Sequence, residues 1–130
     1  MGLSVNLYDP TAFYDTDPLY DGNTTHNLGR MAEEADIYDA LWRPYKLAWG
    51  YTKSDDYDEE MEFENSVMIK AKDIIPKLEV GLEDLIKRPE YYEQFNSPNG
   101  WGMYEHFVPF VSKYLDACKE YPEAIVKVDR

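Results

Sequence analysis

An α+β fold is what this sequence predicts: three main helices packed on a small, mostly antiparallel sheet formed by the N- and C-terminal strands. Three observations lead there. Leu3-Ser4-Val5-Asn6-Leu7-Tyr8 alternates apolar and polar residues with the period of a strand, and Ala124-Ile125-Val126-Lys127-Val128 does the same near the other end. Between them, apolar residues recur at helical spacing over roughly 24–42, 73–88 and 103–121. No internal repeat and no linker interrupts the 130 residues, a length that one core serves without disulfide or metal staples, so a single domain over 1–130 is expected.

Each element has a local reason. Asp9-Pro10 ends the first strand, and Leu19-Tyr20 offers a short return strand before the Asp21-Gly22 turn signal. The first helix follows Asn23-Thr24-Thr25-His26-Asn27, where Asn23, Thr24 or Thr25 can accept from a free first-turn amide. Its apolar face is Leu28, Met31, Ala32, Ala35, Tyr38, Leu41 and Trp42, and Pro44 ends it by barring the helical conformation at Arg43. Asp73 reads as the cap of the second helix, with Pro76 tolerated in the first turn and a stripe of Ile75, Leu78, Leu82, Leu85 and Ile86. Gly81 in that helix allows a close crossing. Arg88-Pro89 ends it, and Pro89–Phe95 makes one more short helix. The turn-formers Asn96-Ser97-Pro98-Asn99-Gly100-Trp101-Gly102 then open the third helix, whose face is Tyr104, Phe107, Val108, Val111, Tyr114, Leu115 and Cys118. Pro109 is expected to kink it one turn in, and Pro122 closes it.

Charge narrows the function classes. Acids outnumber Lys and Arg 26 to 13, for a formal charge of −13. That field repels nucleic acid and anionic membranes, so neither is an expected direct partner. Asp55, Asp56, Asp58, Glu59, Glu60, Glu62 and Glu64 place seven acids in ten residues. Such runs are usually mobile and solvated, which is the reading for 52–64. The alternation Met61-Glu62-Phe63-Glu64 offers an edge strand or short helix presenting a carboxylate row instead. The one cysteine, Cys118, lies on an apolar helix face and reads as a buried, inert thiol. There is no basic-then-apolar leader and no apolar run near the length of a membrane span, so a cytoplasmic protein is expected.

Catalytic signatures are missing: no Gly-rich phosphate loop, no HExxH, no CxxC and no G-x-S-x-G. The sequence therefore points to no catalytic residue, no metal and no cofactor. Its two histidines, His26 and His106, both follow Asn-rich leads into helices, and an enzyme acting through that pair ranks third among the readings. The more informative pattern combines those leads. Asn23, Thr24, His26, Asn27 and Arg30 stand at one helix start, Asn96, Asn99, Gly100, Trp101 and His106 at another, and Trp42, Arg43 and Tyr45 at the end of the first helix. Helix-start amides with arginine suit a phosphate, and tryptophan suits a flat ring. His26, Arg30, Arg43, Asn99, Trp101 and His106 are expected to border one ligand cleft, in one subunit or across a homo-oligomer, with Asn27 as a seventh ligand residue.

Two stretches are similar to segments of a known family. Thr24-Thr25-His26-Asn27-Leu28-Gly29-Arg30-Met31-Ala32-Glu33-Glu34-Ala35, running on to Leu41-Trp42-Arg43-Pro44, forms the first. The second is Phe95-Asn96-Ser97-Pro98-Asn99-Gly100-Trp101-Gly102 with Tyr104-Glu105-His106-Phe107-Val108-Pro109. Together they resemble a family of small proteins met in phage and bacterial genomes. The resemblance brings no catalytic residue with it. It implies a phage origin, the host cytoplasm, and an accessory or counter-defence role. The leading expectation is thus a non-enzymatic binder of a small anionic, nucleotide-like ligand that sequesters a host signal. The rival is an acidic inhibitor of anti-CRISPR or DNA-mimic type. Its Asp55, Asp56, Asp58, Glu59, Glu60 and Glu62 would occupy a basic site on a host nucleic-acid-handling enzyme.

Overall fold

The computed structural model describes residues 2–11 and 17–130. Strands β1 (Gly2–Tyr8), β2 (Tyr20–Thr25) and β3 (Ile125–Asp129) form one antiparallel sheet in the order β2-β1-β3. The two ends of the chain therefore meet in the sheet, as the alternating patterns predicted. Val5 stands opposite Gly22 on one side and Val128 on the other, and Leu7 faces Tyr20 and Val126. Leu3, Val5 and Leu7 are buried, so the alternation of β1 carries one face into the core. Strand β2 runs further than Leu19-Tyr20. Asp21-Gly22 does not turn but pairs with Asn6 and Val5, because the reversal has already been made earlier in the chain.

The first expected helix is broken. It consists of a 3-10 turn (His26–Leu28), α1 (Gly29–Glu34) and α2 (Tyr38–Trp42). Ile37 N donates to Ala32 O and Asp36 N to Glu33 O, both at 3.0 Å. These are the two bonds of a Schellman closure, and Asp36 takes the left-handed position with φ 60°. Asp tolerates that region better than most side chains, and Lys77 Nζ holds its carboxylate at 2.8 Å. The apolar face stays in phase across the elbow: Leu28, Met31, Ala32, Leu41 and Trp42 are all buried.

Three further helices precede the last one: α3 (Tyr57–Ser66), α4 (Ala71–Lys87) and α5 (Pro89–Glu93). The acidic segment thus takes the short-helix form. Asp56 caps α3 by accepting from Asp58 N at 2.9 Å. On α4 the buried positions are Ala71, Ile74, Leu78, Gly81 and Leu85, while Ile86 is exposed. The stripe is rotated by about one position from Ile75, Leu78, Leu82, Leu85 and Ile86. Gly81 sets that rotation, since a Cβ there would lie 2.0 Å from Ile37 Cγ2, so the elbow backbone packs directly on α4. Asp73 lies in the first turn rather than at the cap, and its Oδ2 accepts from Lys70 N at 3.0 Å.

Helix α6 (Tyr104–Glu120) packs along α4 and buries Phe107, Phe110, Val111, Tyr114, Leu115, Ala117 and Cys118. One continuous apolar cluster joins α6, α4, the elbow and the sheet. Trp42 is at its centre, fully buried, with ring centroids 5.4 Å from Tyr38 and 6.4 Å from Phe110. It is a core side chain and offers no ring to a ligand. No helix among the described residues is long and apolar enough to cross a membrane.

Candidate functional site

The loop before α6 is built by its own asparagines. Asn99 Oδ1 accepts from Trp101 N at 2.9 Å and from Ser97 Oγ at 2.6 Å, closing an Asx-type turn. Asn96 Oδ1 reaches eight residues ahead to accept from Tyr104 N at 2.6 Å. The loop is tied across the molecule by Asn27 Nδ2, which donates to Trp101 O at 2.9 Å. Gly102 completes the junction. Its φ is 101°, and a Cβ there would come within 2.7 Å of Asn27 Cβ and 3.1 Å of Asn27 C, so a side chain fits neither the backbone nor the space.

These bonds fix the backbone around Trp101 while leaving its ring outside, 69% exposed. The ring borders an open groove of about 940 Å³. Residues Asn23 to Leu28 form one wall, and Gly100, Trp101, Gly102 and His106 form the other. Buried Leu28 supplies an apolar base, and the exposed His26, Asn27 and His106 bring polar edges.

The groove unites four of the seven expected ligand residues: His26, Asn27, Trp101 and His106. Asn99, exposed, shapes the loop through its turn bonds and does not itself line the groove. Arg30 and Arg43 do not line the groove in this chain. Arg30 lies one helical turn beyond His26, where it pairs with Glu34 at 3.1 Å and sits 5.1 Å from the Phe95 ring centroid. The Tyr91 hydroxyl and then Arg30 hold the Glu34 carboxyl below its usual range. Arg43 lies past the elbow at Asp36, half-buried, with Nη1 3.4 Å from the Tyr45 hydroxyl. Three of the first four amides of α6 are also engaged, because Asn96 takes Tyr104 N, while His106 N and Phe107 N donate to Met103 O. Sequence reasoning placed Asn23 and Thr24 in this cluster and missed Thr25 and Leu28 of the same wall. The Gly-Trp-Gly triplet was the available signal for the opposite one.

The acidic set divides in two. Asp55, Asp56, Asp58, Glu59 and Glu62 are exposed. Glu60 turns inward, accepting from the Tyr51 hydroxyl at 2.8 Å, Ser54 N at 3.0 Å and the Tyr45 hydroxyl at 3.1 Å. Those donors, Ser54 N first, hold its carboxyl below the usual range, so Glu60 is a structural pin. Burial pushes the Cys118 thiol up to about 12, which leaves it protonated and inert at neutral pH. Among the described residues, no group of three or more His, Cys, Asp or Glu is placed to hold a metal ion. Comparison with protein-family models, curated proteins and solved structures finds no match to this chain.

Proposed function

We propose that this chain is a non-enzymatic binding protein for a small, flat-ringed, nucleotide-like ligand, seated ring-first in the groove between residues 23–28 and 100–106. The observation that carries this reading is the position of Trp101. Its backbone is held by Asn99 and Asn27, and its ring is left free at the edge of the groove. A ring stacked there gains about 1–3 kcal/mol and leaves the fold unchanged. Asn23, Asn27 and the imidazoles of His26 and His106 supply donors and acceptors for the rim of a base.

The ring leads because charge does not favour a phosphate. With Arg30 and Arg43 engaged elsewhere and a net charge of −13, a phosphate finds no Lys or Arg among the described residues of the groove and faces a repulsive field. Sequestration of a host nucleotide signal, the counter-defence role that the phage resemblance implies, is the use such a site serves.

The test is calorimetric titration with adenosine, guanosine, their monophosphates and their cyclic dinucleotides. At least one is expected to bind, with Trp101→Ala weakening it tenfold or more while the melting temperature stays close to that of the parent. A panel with no binder, or a Trp101→Ala protein that binds as well as the parent, removes this reading.

A further inference from the structure

A second surface, away from the groove, carries its own inference. A depression of about 480 Å³ lies between the Pro44–Trp49 segment and Val67–Ile69, with Asp73 at its edge. A second, of about 690 Å³, shares Pro44, Val67, Met68 and Ile69 with it and continues past Tyr57 and Met61 of α3 into a more polar end lined by Arg43, Glu64, Lys127 and Arg130. Large apolar side chains stand open along this path: Leu47, Trp49 (97% exposed), Tyr57 and Met68 (62% exposed). The frame beneath them is fixed. Tyr51 and Ser54, just after Trp49, are bonded to Glu60, and the Tyr45 and Tyr51 rings pack on Phe63 at centroid distances of 6.5 and 5.6 Å.

The same stretch is strongly charged. Between Trp49 and Met68 the chain carries seven carboxylates and a single cation, Lys53. Two of the seven are half-buried and engaged, Glu60 as described and Glu64 paired with Arg130 at 2.7 Å. The other five are Asp55, Asp56, Asp58, Glu59 and Glu62, all exposed. The apolar depression at Trp49 and Met68, followed in the chain by a row of exposed acids, is complementary to one kind of partner.

We propose that this surface docks a basic amphipathic segment of a partner protein. One large apolar side chain of the partner seats between Trp49 and Met68, and its Lys and Arg residues lie along the exposed acids. This takes up the protein-binding reading of the acidic segment and supplies the anchor that reading lacked. It does not rest on the ligand groove, so the two readings fail separately. Trp is the residue type that most often dominates interface energy, whereas exposed charges act mainly on association rate and specificity. Trp49 therefore governs how long the partner stays, and the acids govern how fast it arrives.

The probe is a synthetic helical peptide with Leu at i, i+3, i+4 and i+7 and Lys elsewhere, measured kinetically against the full chain. Two control peptides replace Lys by Glu or Leu by Ser. The Leu/Lys peptide is expected to bind best. Trp49→Ala should weaken it at least tenfold through faster dissociation, and Met68→Ser should act in the same direction. Neutralising Asp55, Asp58, Glu59 and Glu62 as Asn or Gln, with the cap Asp56 and the pin Glu60 kept, should slow association and flatten its salt dependence. All variants should melt close to the parent. The proposal is overturned if the Ser/Lys or Leu/Glu peptide binds as tightly as Leu/Lys, or if Trp49→Ala has no effect. It is also overturned if sedimentation shows a dimer that Trp49→Ala dissolves, because the occupant is then a second copy of this chain.

Discussion

Asn27 Nδ2 donates to the carbonyl oxygen of Trp101 at 2.9 Å, joining two segments 74 residues apart in the chain. That bond and the close approach of Gly102 to Asn27 hold the two walls of the groove at a set distance. Gly102→Ala is expected to lose about 1–3 kcal/mol of stability, because a side chain at φ 101° is strained and also meets Asn27. Asn27→Ala removes one exposed hydrogen bond and should cost no more than about 1 kcal/mol. Urea unfolding of the two variants checks the order. Equal costs would show that the junction is looser than its geometry implies.

Gly81 and Ile37 offer a second test. A Cβ at Gly81 would lie 2.0 Å from Ile37 Cγ2 and 3.1 Å from Ala35 O, so Gly81→Ala overpacks the crossing of α4 with the elbow. The expected loss is about 1–3 kcal/mol. Ile37→Ala should relieve part of it, giving a double variant more stable than the sum of the single changes predicts. Strict additivity in thermal or urea unfolding would show that Ala35 O, which Ile37→Ala leaves in place, is the obstacle.

These two glycines show what the sequence made legible and what it hid. The strands of Leu3–Tyr8 and Ala124–Val128 could be read because alternation has a period of two and one face is buried. The span of α6 was clear for the same reason at the helical period. The elbow at Asp36 was hidden, because a Schellman closure keeps the apolar face in phase and the pattern of Leu28 to Trp42 continues across it. The rotation of α4 was hidden too, since a glycine contact, and not hydrophobicity, chooses the face. In the groove, His26, Asn27, Trp101 and His106 were legible as polar and aromatic residues clustered at turns. The neighbours of Arg30 and Arg43 were not legible, because spacing along a chain does not show which carboxylate or ring a guanidinium will meet.

Glu60 links the acidic helix to stability through pH. Its carboxyl is held below the usual range, first by Ser54 N and then by Tyr51. A depressed folded-state value gives stability that is present above the unfolded value, near pH 4.3, and is lost as pH falls through the folded one. The urea midpoint of the parent should therefore drop more steeply below about pH 4.5 than that of Glu60→Gln, with the two profiles parallel between pH 6 and 8. Parallel profiles throughout would mean that Glu60 has no preferential hold in the folded state.

Ring stacking on Trp101 can be read directly from indole N–H resonances. The chain has three tryptophans, and they occupy three environments. Trp42 is buried in the core, Trp49 is exposed on the surface beside Val67, Met68 and Ile69, and Trp101 borders the groove. Titration with adenine and guanine mononucleotides and cyclic dinucleotides, followed by heteronuclear NMR, separates them in one experiment. The expected result is a saturable shift of the Trp101 resonance with at least one ligand, while those of Trp42 and Trp49 stay in place. A Trp101 resonance that stays fixed across the whole panel, or that moves only together with Trp42 and Trp49, would contradict a ring-binding groove.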